Sequence, residues 1–169
     1  MSTMNIVIRQ LDVSDLNEYR NIRLELLKKE PKSFGSSFDE ESRFPDDMWI
    51  SRLSKEHINI FGSFHNDKMI GIAVVAMNPR KKIKHVATLN SMYIKEEYRS
   101  NGIGRAIIEE ALDFLRKKDV EIVNLSVVST NLPAINLYHN LGFKLYGEEK
   151  KGIKLDNKYI DMFLMSKEL

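Results

Sequence analysis

Cysteine is missing from this chain altogether. That excludes disulfides, thiolate metal sites and a cysteine nucleophile that would carry an acyl group. Long apolar runs are missing too: no stretch approaches the roughly 20 apolar residues that a membrane span needs. Residues Met1 to Gln10 lack the basic start and long apolar stretch of a secretory leader. Charge is nearly balanced, with 26 Lys and Arg against 24 Asp and Glu, and the net of +2 is too small to call for nucleic acid. The four histidines, His57, His65, His85 and His139, have no metal-ligand spacing such as His-Glu-x-x-His, so no metal is inferred. These absences predict a cytoplasmic protein with neither a membrane nor a nucleic acid as partner.

What is present suits one globular domain over residues 1–169. Apolar residues make up 43% and charged residues 30%, enough for a core without staples. Asn5 to Arg9 alternates around Ile6 and Ile8 as a strand does. Asp12 or Ser14 caps a helix whose apolar face carries Leu16, Tyr19, Ile22, Leu26 and Leu27 and which Pro31 ends. Residues 32–45 read as a loop, and Asp46 or Asp47 opens a short helix through Trp49, Ile50 and Leu53. Ile58 to His65 and Met69 to Met77 form a hairpin about Asn66-Asp67-Lys68. The basic cluster Arg80, Lys81, Lys82, Lys84 and His85 reads as a solvated turn before a strand from Lys84 to Ile94.

Gly102 to Lys118 repeats Ile103, Ile107, Ala111, Leu112 and Leu115 at helical spacing. Ile122 to Val128 is a buried strand, and Asn131 to Leu141 a helix closed by Gly142. Phe143 to Glu148 and Tyr159 to Met165 are two last strands about a turn near Asp156-Asn157. The order gives a mixed α/β layout, a strand-rich sheet with about four helices.

The segment Arg99-Ser100-Asn101-Gly102-Ile103-Gly104 enters a helix directly after a strand. Such a loop offers unpaired N–H groups and the positive end of a helix dipole, which suit a pyrophosphate. Gly102 and Gly104 carry no Cβ that would hold a phosphate off, while Arg99 and Arg105 add positive charge. A dinucleotide fingerprint needs a third small residue where Ile107 stands, and the chain contains no Gly-Lys-Ser/Thr of a Walker loop.

The pattern Arg-x-x-Gly-x-Gly between a strand and an amphipathic helix resembles the pyrophosphate loop of the GCN5-related N-acetyltransferases (GNAT). The second block of that family, Asn-x-x-Ala-x-x-Leu-Tyr-x-x-x-Gly-Phe, is matched at every named position from Asn131 through Ala134, Leu137, Tyr138 and Gly142 to Phe143. The resemblance covers roughly residues 85–147 strongly and the whole chain in element order. It implies a mostly antiparallel sheet of about six to seven strands, splayed to hold acetyl-CoA as co-substrate. By the same resemblance, Met92, Tyr93 and Ile94 present backbone groups to the pantetheine arm. Arg99, Ser100, Asn101, Gly102, Ile103, Gly104 and Arg105 hold the pyrophosphate, and Asn131 bonds the pantetheine as well as capping its helix. Tyr138 is the implied general acid, and a backbone N–H near Met92 to Ile94 the oxyanion donor. Relatives are often dimers, so a homodimer is compatible.

With no cysteine to carry the acyl group, direct attack by an amine in a ternary complex is the expected route. Many relatives place a glutamate on the strand before the loop; His85 to Ile94 contains no carboxylate here. Water relayed by Thr88, Asn90 or Ser126 is one substitute for that base. Glu40 or Glu41 is another, although both read as solvated. Pro31 to Phe38 with Trp49 resembles an acceptor loop of a bacterial branch acting on small amines or protein N-termini. The expected activity is acetylation of a primary amine, on a small molecule or a protein N-terminus, a ribosomal-protein type included. The alternative is a non-catalytic acyl-CoA sensor of the same fold.

Overall fold

The computed structural model describes residues 4–169, so the part of the leader reading that falls on Met1 to Thr3 lies outside the described residues. The chain starts with β1 (Ile6–Gln10), a 3-10 turn (Val13–Asp15) and α1 (Leu16–Lys29). Asp12 caps that turn by accepting from the Ser14 N–H, while the Asp15 carboxylate accepts from the Asp12 N–H, a reciprocal capping box. Next come α2 (Phe38–Glu41) and α3 (Asp46–Ser54), then the strands β2 (Ile58–His65), β3 (Lys68–Met77) and β4 (Val86–Ile94). A 3-10 turn (Glu96–Tyr98) leads to α4 (Ile103–Lys117), β5 (Ile122–Val128), α5 (Leu132–Asn140), β6 (Lys144–Leu155) and β7 (Lys158–Glu168).

Seven strands make one sheet in the order β1-β2-β3-β4-β5-β7-β6. Every neighbouring pair is antiparallel except β4 and β5. The β2–β3 and β6–β7 turns each place two residues in the left-handed region, Asn66 and Asp67 (φ 48° and 61°) and Asp156 and Asn157 (φ 49° and 59°). Asn and Asp tolerate that conformation best among residues with a side chain, and such turns follow the twist of a hairpin.

Two elements depart from the sequence expectation. Residues 32–45 are not all loop: Ser37 accepts from the Glu40 N–H and starts the single turn α2. That gives five α-helices among the described residues. Strand β6 continues past Glu148 to Leu155, with irregular pairing between Glu149 and Ile153. Glu149, Lys150, Lys151 and Gly152 open that extension, and the alternation of Ile153, Lys154 and Leu155 is too short to announce a strand.

Helices cover both faces of the sheet, which is why β2 and β3 are buried almost end to end. On one face α4 packs Ile107, Ile108, Ala111 and Leu115 against Val75, Leu89, Val123 and Phe143. On the other, α1 and α3 pack Leu26, Leu27 and Trp49 against Ile60, Ile72 and Tyr93. Each large apolar side chain buried this way contributes about 1.5–3 kcal/mol.

Candidate active site

The parallel pair β4–β5 is joined only at Val86↔Ile122, Ala87↔Val123 and Thr88↔Asn124. Beyond Thr88 the two strands separate. β4 is also one residue longer than its partner there: Ile72 faces Tyr93, whereas Val74 faces Asn90. The extra residue makes a β-bulge, with Ser91 at φ 49°. A bulge leaves backbone groups unpaired, and this one lies at the mouth of the gap. A cleft of about 990 Å³ fills the opening.

Helix α4 starts at one end of this cleft. Gly102 stands at its N-cap with φ 75°, no side chain caps the helix, and no acidic residue occupies its first turn. Its leading N–H groups and positive dipole end are thus left open to an anion. The two glycines do different work. A Cβ on Gly102 would meet nothing within 4 Å, so its glycine serves the backbone angle. A Cβ on Gly104 would lie 2.7 Å from Met92 Cε and 3.3 Å from Leu137 Cδ2, so that glycine lets α4 approach β4 and α5.

Of the residues expected on the donor side, Met92, Tyr93, Ile94, Arg99, Ser100, Gly102, Ile103, Gly104, Arg105 and Asn131 line the cleft. Asn101 is not part of the wall; its side-chain amide donates to the Tyr98 and Arg99 carbonyls and braces the loop. Arg99 donates from Nε to the Ile94 carbonyl at 2.8 Å and pairs with Glu30, the C-cap of α1. Arg105 pairs with Glu109 one turn on. Asn131 accepts from the Ala134 N–H as the cap of α5. Tyr93 is buried on the α1 face, and its hydroxyl is buried without a partner among the described residues. Burial, then the nearby Glu25 carboxylate, pushes this hydroxyl up to about 12.

Tyr138 lines the cleft from α5, and its ring packs edge-on against Phe143. Its hydroxyl makes no hydrogen bond among the described residues, and burial pushes it up to about 12. Across the gap, Asn90 and Ser126 line the wall on β4 and β5, whereas Thr88 lies in the paired part of the sheet, outside the wall.

Of the two glutamates expected in solvent, Glu41 departs from expectation. Glu40 is exposed, as a solvated residue should be. Glu41 is only 2% exposed and is not solvated. It accepts from Arg23 Nε and Nη2, each at 2.9 Å, and from Arg52 Nη1 and Nη2 at 2.9 and 3.0 Å. Burial alone would raise its carboxyl, but the hydrogen bonds from Arg23 and Arg52 outweigh it and bring the group down to about 2. Neither glutamate belongs to the cleft wall.

Trp49 is core, 1% exposed and edge-on to Tyr19, so its expected place in the acceptor pocket is corrected. Phe38 likewise stays out of the wall, whereas Ser33, Phe34, Gly35 and Ser36 line it. Tyr19, Arg23, Ser91 and Arg52 also line the cleft and were missed. One signal was readable: Arg23 sits on the apolar stripe of α1, one turn from Tyr19 and Leu26, where a charge must find a partner. Among the described residues no three His, Asp or Glu side chains converge as a metal site. No helix among them is long and apolar enough to cross a membrane.

Comparison with known proteins agrees with this fold. The sequence matches the Acetyltransferase (GNAT) domain over residues 8–164. The chain belongs to the GNAT acetyltransferase family. It is 27% identical over 149 residues to an uncharacterized N-acetyltransferase of Methanocaldococcus jannaschii, covering 87% of this chain and 62% of that protein. The chain thus spans less than two thirds of that relative. It is 24% identical to the L-amino acid N-acetyltransferase AaaT of Escherichia coli, over 96% of this chain and 97% of that one. The structure of yncA from Salmonella typhimurium, solved with its cofactor acetyl-CoA, shares the fold at a TM-score of 0.83. It is 16% identical, and the match covers 97% of this chain and 94% of that one.

Proposed function

We propose that this GNAT chain moves an acetyl group from acetyl-CoA to a primary amine by direct attack in a ternary complex. The observation that carries this reading is the cleft between β4 and β5, with the uncapped start of α4 at one end and Tyr138 in its wall. Acetyl-CoA supplies an activated thioester. Family membership and the acetyl-CoA in the yncA structure support its fit here.

The residues of the chain then divide the work. The N–H groups at the start of α4 receive the pyrophosphate. Met92 to Ile94 align the pantetheine arm with backbone groups, and Asn131 keeps side-chain N–H groups for it while its oxygen caps α5. Backbone N–H groups at the Ser91 bulge face the oxygen on which negative charge develops. The amine nitrogen forms its bond to the carbonyl carbon as the carbon–sulfur bond breaks. Tyr138 gives its proton to the leaving sulfur. The proton lost by the amine leaves through water held by Asn90 and Ser126 and restores the phenol. With its hydroxyl near 12, Tyr138 stays protonated through the neutral range and remains able to donate.

A thiol-release assay with acetyl-CoA and a panel of amines and peptides, paired with calorimetry of acetyl-CoA binding, tests this reading. Release of one thiol per acetylated amine is expected. Acetyl-CoA binding with no release on any acceptor would instead identify an acyl-CoA sensor.

A further inference from the structure

Five charged side chains line the cleft: Arg23, Glu30, Arg52, Arg99 and Arg105. Glu30 is the one carboxylate among them, and Arg99 neutralises it. With Glu30 paired, the charges left without a partner in the wall beside α1 and α3 are those of guanidiniums. Behind them Glu41 is the shared counter-ion. Two positive charges and one negative leave this cluster one unit positive. The order of burial decides which sign the ligand meets: the Arg52 side chain is 27% exposed, against 2% for Glu41. Around it the wall is apolar, with Phe34, Ile60 and Val74.

Resting on the acetyltransferase reading, we infer that the acceptor carries a carboxylate beside its amine and an apolar side chain, as a free α-amino acid does. A guanidinium recognises a carboxylate with paired, charge-assisted hydrogen bonds. Arg52 is held in place, since Glu41 takes one N–H from each Nη and the Phe44 and Trp49 rings lie 5.3 and 5.2 Å from its central carbon; the second N–H of each Nη is what remains for an acceptor carboxylate. A polyamine fits poorly. Its second ammonium would meet the cluster's positive charge, with no free carboxylate in the wall to receive it. A peptide N-terminus lacks the adjacent carboxylate and would leave the cluster unanswered.

Initial rates of thiol release by the wild-type protein at saturating acetyl-CoA, with L-leucine, L-leucinamide and putrescine, test the inference. The amide's amine is the more readily neutral of the two leucine acceptors, so intrinsic reactivity works against the expected order. L-Leucine is expected to have a kcat/KM at least about ten-fold above L-leucinamide, chiefly through KM, with putrescine lower still. In Arg52→Gln, checked for folding by its melting temperature, the preference for the acid over the amide should collapse. L-Leucinamide or putrescine used as well as L-leucine, or no release with L-leucine, overturns the acceptor assignment. The transfer reading itself falls only if no amine of any class releases thiol.

Discussion

Four hydrogen bonds from two guanidiniums converge on the Glu41 carboxylate, and this makes it the group whose protonation costs most. Its folded value, about 2, lies below the usual 4.5. Its stabilisation is therefore full above pH 4.5 and is lost as pH falls towards 2, an effect of about 3 kcal/mol. Melting temperature should drop through that window. Glu41→Gln should be less stable at neutral pH by about 3 kcal/mol, since it leaves the buried Arg23 and the partly exposed Arg52 without a charge partner, and should lose less on acidification. Parallel melting curves for both proteins from pH 5 to 2 check this. Sequence alone placed Glu41 in solvent because its neighbours Asp39, Glu40 and Ser42 are polar and its partners lie 18 residues before it and 11 after. Tyr138 was legible for the opposite reason, being embedded in a contiguous block. Tyr138→Phe should lower kcat by roughly 10²-fold and leave acetyl-CoA affinity nearly unchanged. An unchanged kcat would remove its role as acid. No falling limb from this hydroxyl is expected below about pH 11, because burial holds it near 12.

At the scale of the element, the start of α4 and the bulge of β4 together define the donor half of the cleft. The loop before α4 was readable because its glycines, arginine and following apolar period are contiguous. The bulge was not, since a bulge is a register difference between two strands and neither strand alone records it. It is braced from outside: Arg23 Nη1 donates to Ser91 Oγ at 2.8 Å, so α1 holds the residue with positive φ in place. Gly102 separates backbone from packing. Gly102→Ala meets open space yet must adopt φ 75°, so it should cost about 1 kcal/mol, a fall of roughly 2–4 °C in melting temperature. It should also weaken acetyl-CoA binding, which calorimetry reads, because the same angle aims the leading N–H groups of α4.

At the scale of the whole molecule, one sheet with helices on both faces creates two cores, and the parallel pairing of β4 with β5 creates the cleft. Element order followed from periodicity and from the two motif blocks. The acceptor wall did not, because α1, α3 and residues 33–36 come together only through the packing of Tyr19, Leu26 and Trp49. The central claim is direct transfer within this one cleft. Initial rates measured while acetyl-CoA and the acceptor amine are both varied test it most directly. Intersecting double-reciprocal lines, with one thiol released per amine acetylated, are predicted. Parallel lines together with an acetylated form of the protein trapped in the absence of amine would contradict it.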